Sequence, residues 1–268
     1  VADSAPSALR RAGYRLATSF TFDSFGSLVR GGAGQWDHVL PYVADAFRVL
    51  PARSTFDGST GGSISDVPED YLCVGHQQYH EKVLEWNEAL IASYRESGEP
   101  LFLYSHLLGS HLKEFRAAGL DIGVHDHLRR TLESNPALLV LFVSDHGSLS
   151  AVCDQRSPVL HVLTPRRWPA FATLGLASNR QAVVSPVDIH ATLRQLAGAP
   201  AWQELRRGLG SGFLTARRKA YQAAVYFDLD DPRLGPRSLF EAFPPNRSCA
   251  AAGIPRRHCA VRGGSAIG

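Results

Sequence analysis

The chain reads as an α/β protein: a mostly parallel sheet with helices on both faces. Three observations predict this class. Short apolar runs over residues 14–20, 100–105, 138–144 and 159–164 have the length and composition of strands. Segments with apolar side chains at helical intervals lie between several of them, and helix alternating with strand calls for parallel pairing under a helical cover. The run Leu141-Phe-Val-Ser-Asp-His-Gly147 stops abruptly at an Asp-His pair, and strands of such sheets deliver chemical groups at their carboxyl ends.

Taken in order, residues 7–13 read as the end of a helix stopped by Gly13, which leads into the strand over 14–20. Residues 26–70 are rich in Gly, Ser, Asp and Pro and form a loop-rich connection with a helix expected over 36–47. Residues 81–95 carry Val83, Leu84, Trp86, Leu90, Ile91 and Tyr94 at helical spacing and run to Gly98. The strand over 100–105 follows as a buried element, and residues 106–111 leave it as a loop. A helix over 121–133 precedes the strand over 138–144, also read as buried, and the strand over 159–164 is closed by Pro165. Ser185-Pro186-Val-Asp188 caps a helix through His190 to Leu196, ending at Gly198. After Gly208 the pattern weakens to one strand over 223–228 and a tail rich in Pro, Arg and Cys.

Composition bounds the function classes. The 268 residues suffice for one large α/β domain or two small ones, and 44% hydrophobic with 20% charged residues is the balance of a globular protein. The formal charge is +3, with Lys82, Lys113 and Lys219 the only lysines. Arginine suits two-point contacts to oxyanions, but no basic cluster marks a nucleic-acid surface. No stretch approaches the roughly 20 apolar residues of a membrane span. Val1 stands where an initiator methionine would, so the chain reads as a fragment and carries no information on a leader.

None of Cys73, Cys153, Cys249 and Cys259 has CxxC spacing, which argues against a sulfur-ligated metal. Cys249 and Cys259 flank a Gly-Pro-containing turn and are candidates to close a small disulfide loop. Asn246-Arg247-Ser248 beside them is a glycosylation sequon, and the combination favours the secretory pathway, extracellular or membrane-anchored in the parent protein.

Asp145 and His146 are the leading metal-ligand candidates. A carboxylate beside an imidazole suits a divalent cation, and Gly147 lets the backbone turn without crowding it. Taken alone, the triplet reads rather as a polar turn after a strand, and the rest of the chain tips the balance. His111 follows the strand over 100–105, and in a parallel sheet both carboxyl ends open on one edge, so His111 is expected to converge with Asp145 and His146. Asp121 and His125 share one helical face at i,i+4, a weaker metal candidate that also reads as a helix start. His106 reads as a strand-end packing residue, and His190 as a packed helix residue.

Three segments carry a family resemblance. Glu99-Pro-Leu-Phe-Leu-Tyr-Ser-His-Leu-Leu-Gly-Ser-His111 resembles the strand of sulfatase-like enzymes that runs on to a substrate-contacting histidine. Asp126-His-Leu-Arg-Arg-Thr-Leu132 with Leu138-Leu-Val-Leu-Phe-Val-Ser-Asp-His-Gly147 is similar to the helix and Ser-Asp-His-Gly strand of the alkaline phosphatase and sulfatase superfamily. Ser185-Pro-Val-Asp-Ile-His-Ala-Thr-Leu193 resembles its later helix. Leu9 to Tyr14, Cys73-Val-Gly75, Gly235-Pro-Arg-Ser-Leu-Phe240, Pro245-Asn-Arg-Ser-Cys249 and Ile254-Pro-Arg-Arg-His-Cys259 resemble one branch, domain-of-unknown-function 229.

The resemblance implies a partial sulfatase-like α/β domain over residues 1–207 and an extension over 208–268. It implies Asp145 and His146 as ligands of a divalent metal (Ca, Mg, Mn or Zn), His111 on the oxygens of a phosphate or sulfate ester, and Asp121 with His125 as a second metal pair. In the family the nucleophile precedes the helix ending in the Gly-Tyr element, here Gly13-Tyr14, which places it before Val1 and leaves the chain as given inactive. Thr55 resembles a nucleophile only superficially, since it follows the wrong strand. A non-catalytic scaffold or binding protein retaining the fold is the alternative.

Overall fold

The computed structural model describes residues 5–20, 36–40, 73–74, 77–107, 114–144, 146–147, 158–165, 169–198, 236–254 and 259. It is an α/β protein that divides into two compact units, residues 13–138 and residues 1–12 with 139–268.

The first unit is organised on a parallel sheet. Strand β1 (Arg15–Phe20) lies between β2 (His38–Val39) and β5 (Leu101–His106), both parallel to it. Leu16, Ala17, Thr18 and Ser19 of β1 are buried, as the central strand of a parallel sheet requires. The short β3 (Cys73–Val74) and β4 (Gln77–Gln78) pair antiparallel and lead into α2 (Tyr79–Ser97). At its start, the Glu81 carboxylate accepts the Gln78 N–H at 2.8 Å, and at its end Gly98 takes φ 72° and returns its N–H to Tyr94 O. Val83, Leu84, Asn87 and Ile91 form the buried stripe of α2, which packs against β5, β1 and α3 (Glu114–Ser134).

The second unit contains α1 (Ala5–Arg11), the strands β6 (Val140–Val143) and β7 (Leu160–Leu163), α4 (Ala170–Ser178), a 3-10 turn over Asn179–Gln181, and α5 (Pro186–Leu196). Helix α1 packs on α5. The segment 236–254 is irregular yet well buried at Leu239, Phe240, Phe243 and Ala252.

The structure corrects three local expectations. Residues 36–40 do not start a helix: Asp37 N donates to Leu16 O at 2.7 Å and the Asp37 carboxylate accepts Leu16 N at 2.8 Å, which docks β2 on the edge of β1. Residues 41–47 lie outside the described set. Strand β5 runs one residue further than expected, to His106, which is the strand-end residue anticipated and has its ring on the Tyr104 hydroxyl at 3.2 Å. Strand β6 is half covered rather than buried, Phe142 and Val143 being 38% and 44% exposed, and it pairs antiparallel with β7. A short apolar run looks the same in sequence whether its strand is buried or half covered. Helix α4 was not foreseen, because Ala-Phe-Ala-Thr-Leu-Gly-Leu-Ala-Ser is apolar all round and shows no periodicity. The strand expected over 223–228 lies outside the described residues.

Candidate metal centre

The β6–β7 ribbon positions the Ser-Asp-His-Gly segment. Its register runs from Val140 opposite Leu163 to Val143 opposite Leu160. Beyond the last pair, Ser144 N donates to Val159 O at 3.0 Å and Val159 N donates to Ser144 Oγ at 2.7 Å. These two bonds clamp the carboxyl end of β6 just before His146, which lies half-buried in a bend.

His146 Nδ1 sits 2.7 Å from Gly147 O. A carbonyl only accepts, so Nδ1 is the donor in this bond. That is the arrangement metal-bound histidines use, with one ring nitrogen held by a carbonyl and the other directed to the ion. The residue types in sequence are an imidazole whose Nδ1 is held by a carbonyl, a carboxylate before it and a glycine after it. Asp145 and His111 lie outside the described residues. Among the described residues, no three His, Cys, Asp or Glu side chains gather as a metal-binding group.

Asp121 and His125 both lie exposed on α3. The His125 ring stands 3.2 Å from Asp126 Oδ1, with its side chain 71% exposed. His190 is half-buried on α5.

Two charged clusters escaped the sequence reading. In the first unit, Glu88 on α2 accepts from His127 Nδ1 at 3.0 Å and Arg130 Nη2 at 2.7 Å, both on α3. Burial pushes the His127 pKa down, with Glu88 opposing it. Burial would raise that of Glu88, yet the bonds from Arg130 and His127 outweigh it and hold the carboxylate below its usual range. With two cationic or N–H partners, this carboxylate reads as an inter-helix tie. In the second unit, Asp188 on α5 holds Arg247 through a buried two-point ion pair; the Cys249–Cys259 disulfide nearby is the one the sequence offered as a candidate. Asp188 was legible as a helix-start residue, but nothing local in sequence links it to an arginine fifty-nine residues away.

The elements define an α/β protein with a histidine-bearing bend at the carboxyl end of a strand. A family model for "Protein of unknown function (DUF229)" matches residues 63–266, and the chain belongs to that family. No curated protein and no solved structure matches it.

Proposed function

We propose that this chain is part of a metal-dependent, sulfatase-like hydrolase of phosphate or sulfate esters, routed through the secretory pathway. Asp145 and His146 hold the divalent ion, and His111 contacts the ester oxygens. The observation that supports this most directly is the His146 Nδ1 to Gly147 O bond, which holds one ring nitrogen on a carbonyl as in metal-bound histidines. When bound, the metal supplies Lewis-acid polarisation of the ester. The residues of the chain do the positioning. Ser144 and Val159 hold the strand end, Gly147 orients the imidazole, and His111 donates to oxygens on which charge develops in the transition state. No residue of this chain is assigned as the nucleophile. The Cys249–Cys259 disulfide supports the secretory routing.

The test uses the full-length protein. Metal content by mass spectrometry and hydrolysis of 4-nitrophenyl phosphate and 4-nitrophenyl sulfate are compared for the parent, Asp145→Ala and His146→Ala. Loss of both metal and hydrolysis in the two variants is expected. Unchanged metal content and activity would remove these residues from the site, and a folded parent with neither metal nor hydrolysis would leave the fold as a binding scaffold.

A further inference from the structure

Asn246-Arg247-Ser248 is the single Asn-X-Ser/Thr sequence among the 268 residues, and the fold treats its three members in different ways. Arg247 is turned inward: it is 7% exposed, its guanidinium is bonded to both oxygens of Asp188 and to Val183 O, and it lies 4.3 Å over the Phe243 ring. Asn246 is exposed at the turn before it, with φ 61°. Asparagine is among the few residues that occupy this left-handed region readily. With its neighbour anchored inward, position 246 is left exposed. Ser248 is exposed as well, its Oγ accepting from Ala251 N at 3.1 Å.

The next residue, Cys249, is closed in a disulfide with Cys259. Such bonds form and persist in oxidising compartments, and sequons in proteins passing through them are acceptors of N-linked sugar. An exposed turn beside the disulfide accommodates a bulky, solvated group without displacing any buried side chain.

We propose that Asn246 is an N-glycosylation site. The donor class is a lipid-pyrophosphate-linked oligosaccharide. The bond from the sugar's anomeric carbon to the pyrophosphate oxygen breaks, and a bond from that carbon to Asn246 Nδ2 forms. The amide nitrogen gives up one proton, and the lipid pyrophosphate leaves with the bonding pair. This modification is independent of any catalytic activity and stands or falls separately from the ester-hydrolase reading.

The experiment expresses the full-length protein in cultured animal cells, recovers it from cells and medium, and reads the peptide containing residue 246 by mass spectrometry. The protein is first treated with peptide N-glycosidase in heavy-oxygen water. The expected result is conversion of Asn246 to heavy-oxygen-labelled aspartate in the parent and in Ser248→Thr, and no conversion at this position in Ser248→Ala. Because Ser248→Thr keeps the hydroxyl the transferase requires, it separates loss of the acceptor sequence from a general folding defect. An unmodified Asn246 peptide in the recovered parent, or equal labelling in Ser248→Ala, would overturn the proposal.

Discussion

Asp188 and Arg247 form a two-point ion pair, Nη1 to Oδ2 at 2.8 Å and Nη2 to Oδ1 at 2.9 Å, with side chains 0% and 2% exposed. The same carboxylate accepts Ser185 N at 2.9 Å, completing the start of α5, and Arg237 N at 2.9 Å. One side chain thus begins a helix and gathers both ends of the segment 237–247 against it. Thr192 on the same helix adds to the hold, since its Oγ1 donates to Asp188 O at 2.7 Å and accepts Leu239 N at 2.9 Å.

A buried charge deprived of its partner is the most destabilising outcome in such an arrangement. Arg247→Met is therefore expected to lower unfolding stability by about 3–5 kcal/mol, measured by urea denaturation. A loss under about 1 kcal/mol, the range typical of surface pairs, would show that the pair is dispensable.

Gly175 on α4 lies against the backbone of Phe240, and a Cβ there would collide with the Phe240 carbonyl. The partner segment cannot yield easily, because Asn179 Nδ2 donates to Leu239 O and Glu241 O at 3.0 and 2.7 Å while its Oδ1 accepts Phe243 N. Gly175→Ala favours helix locally by about 1 kcal/mol, yet the collision reverses the sign. The variant is expected to have a lower thermal midpoint than the parent, and a raised one would refute the contact.

In the first unit, Ser19, Asn87 and Ser105 close a ring of hydrogen bonds at 2.9, 2.9 and 3.0 Å. With one proton per hydroxyl, the consistent arrangement has Ser19 donating to Asn87 Oδ1, Asn87 Nδ2 to Ser105, and Ser105 back to Ser19. Asn87 is 1% exposed, so Asn87→Leu leaves two hydroxyls without their partner and should cost about 1–3 kcal/mol. Chemical denaturation of the single variant and of Ser19→Ala/Asn87→Leu would show the second change partly relieving the first; strict additivity would argue against a closed ring.

His80 is 6% exposed, and its pKa lies below the ordinary 6.5 because burial outweighs the pull of Glu81. Between the two values the unfolded chain binds more protons than the folded one, so stability rises with pH across that window and is lost as pH falls below 6.5. The parent should lose more thermal stability than His80→Gln between about pH 7.5 and pH 5.5. Parallel curves for the two proteins would assign the acid sensitivity elsewhere.

Reducing the Cys249–Cys259 bond opens a loop of sequence separation 10, for which chain entropy suggests about 3 kcal/mol. Cys249→Ser/Cys259→Ser is expected to unfold at a lower denaturant concentration, with slope unchanged. An unchanged midpoint would mean that the disulfide adds nothing to the hold that Asp188, Thr192 and Asn179 have on the segment 236–254.

Local chemistry was readable wherever it acts through near neighbours. The Gly98 stop of α2, the Ser185-Pro186 start of α5 and the apolar stripe at Val83, Leu84 and Ile91 each follow from spacing along one element. The helix expected at residue 36 failed because Asp37 gains more from bonding Leu16 at both its backbone N–H and its carboxylate than from a helical turn. Half of the candidate site was equally legible: Asp145-His146-Gly147 is a pattern of residue types, and no folding is needed to see it.

The α/β class, most element positions and the family were thus readable without a fold, because they depend on periodicity, turn chemistry and residue type. It took the folded chain to bring His146 Nδ1 onto Gly147 O, to pair β6 antiparallel with β7, and to bury Arg247 on Asp188 while Asn246 faces solvent. Those outcomes turn on contacts between residues far apart in the chain, whose energies of burial and hydrogen bonding have no signature in local sequence.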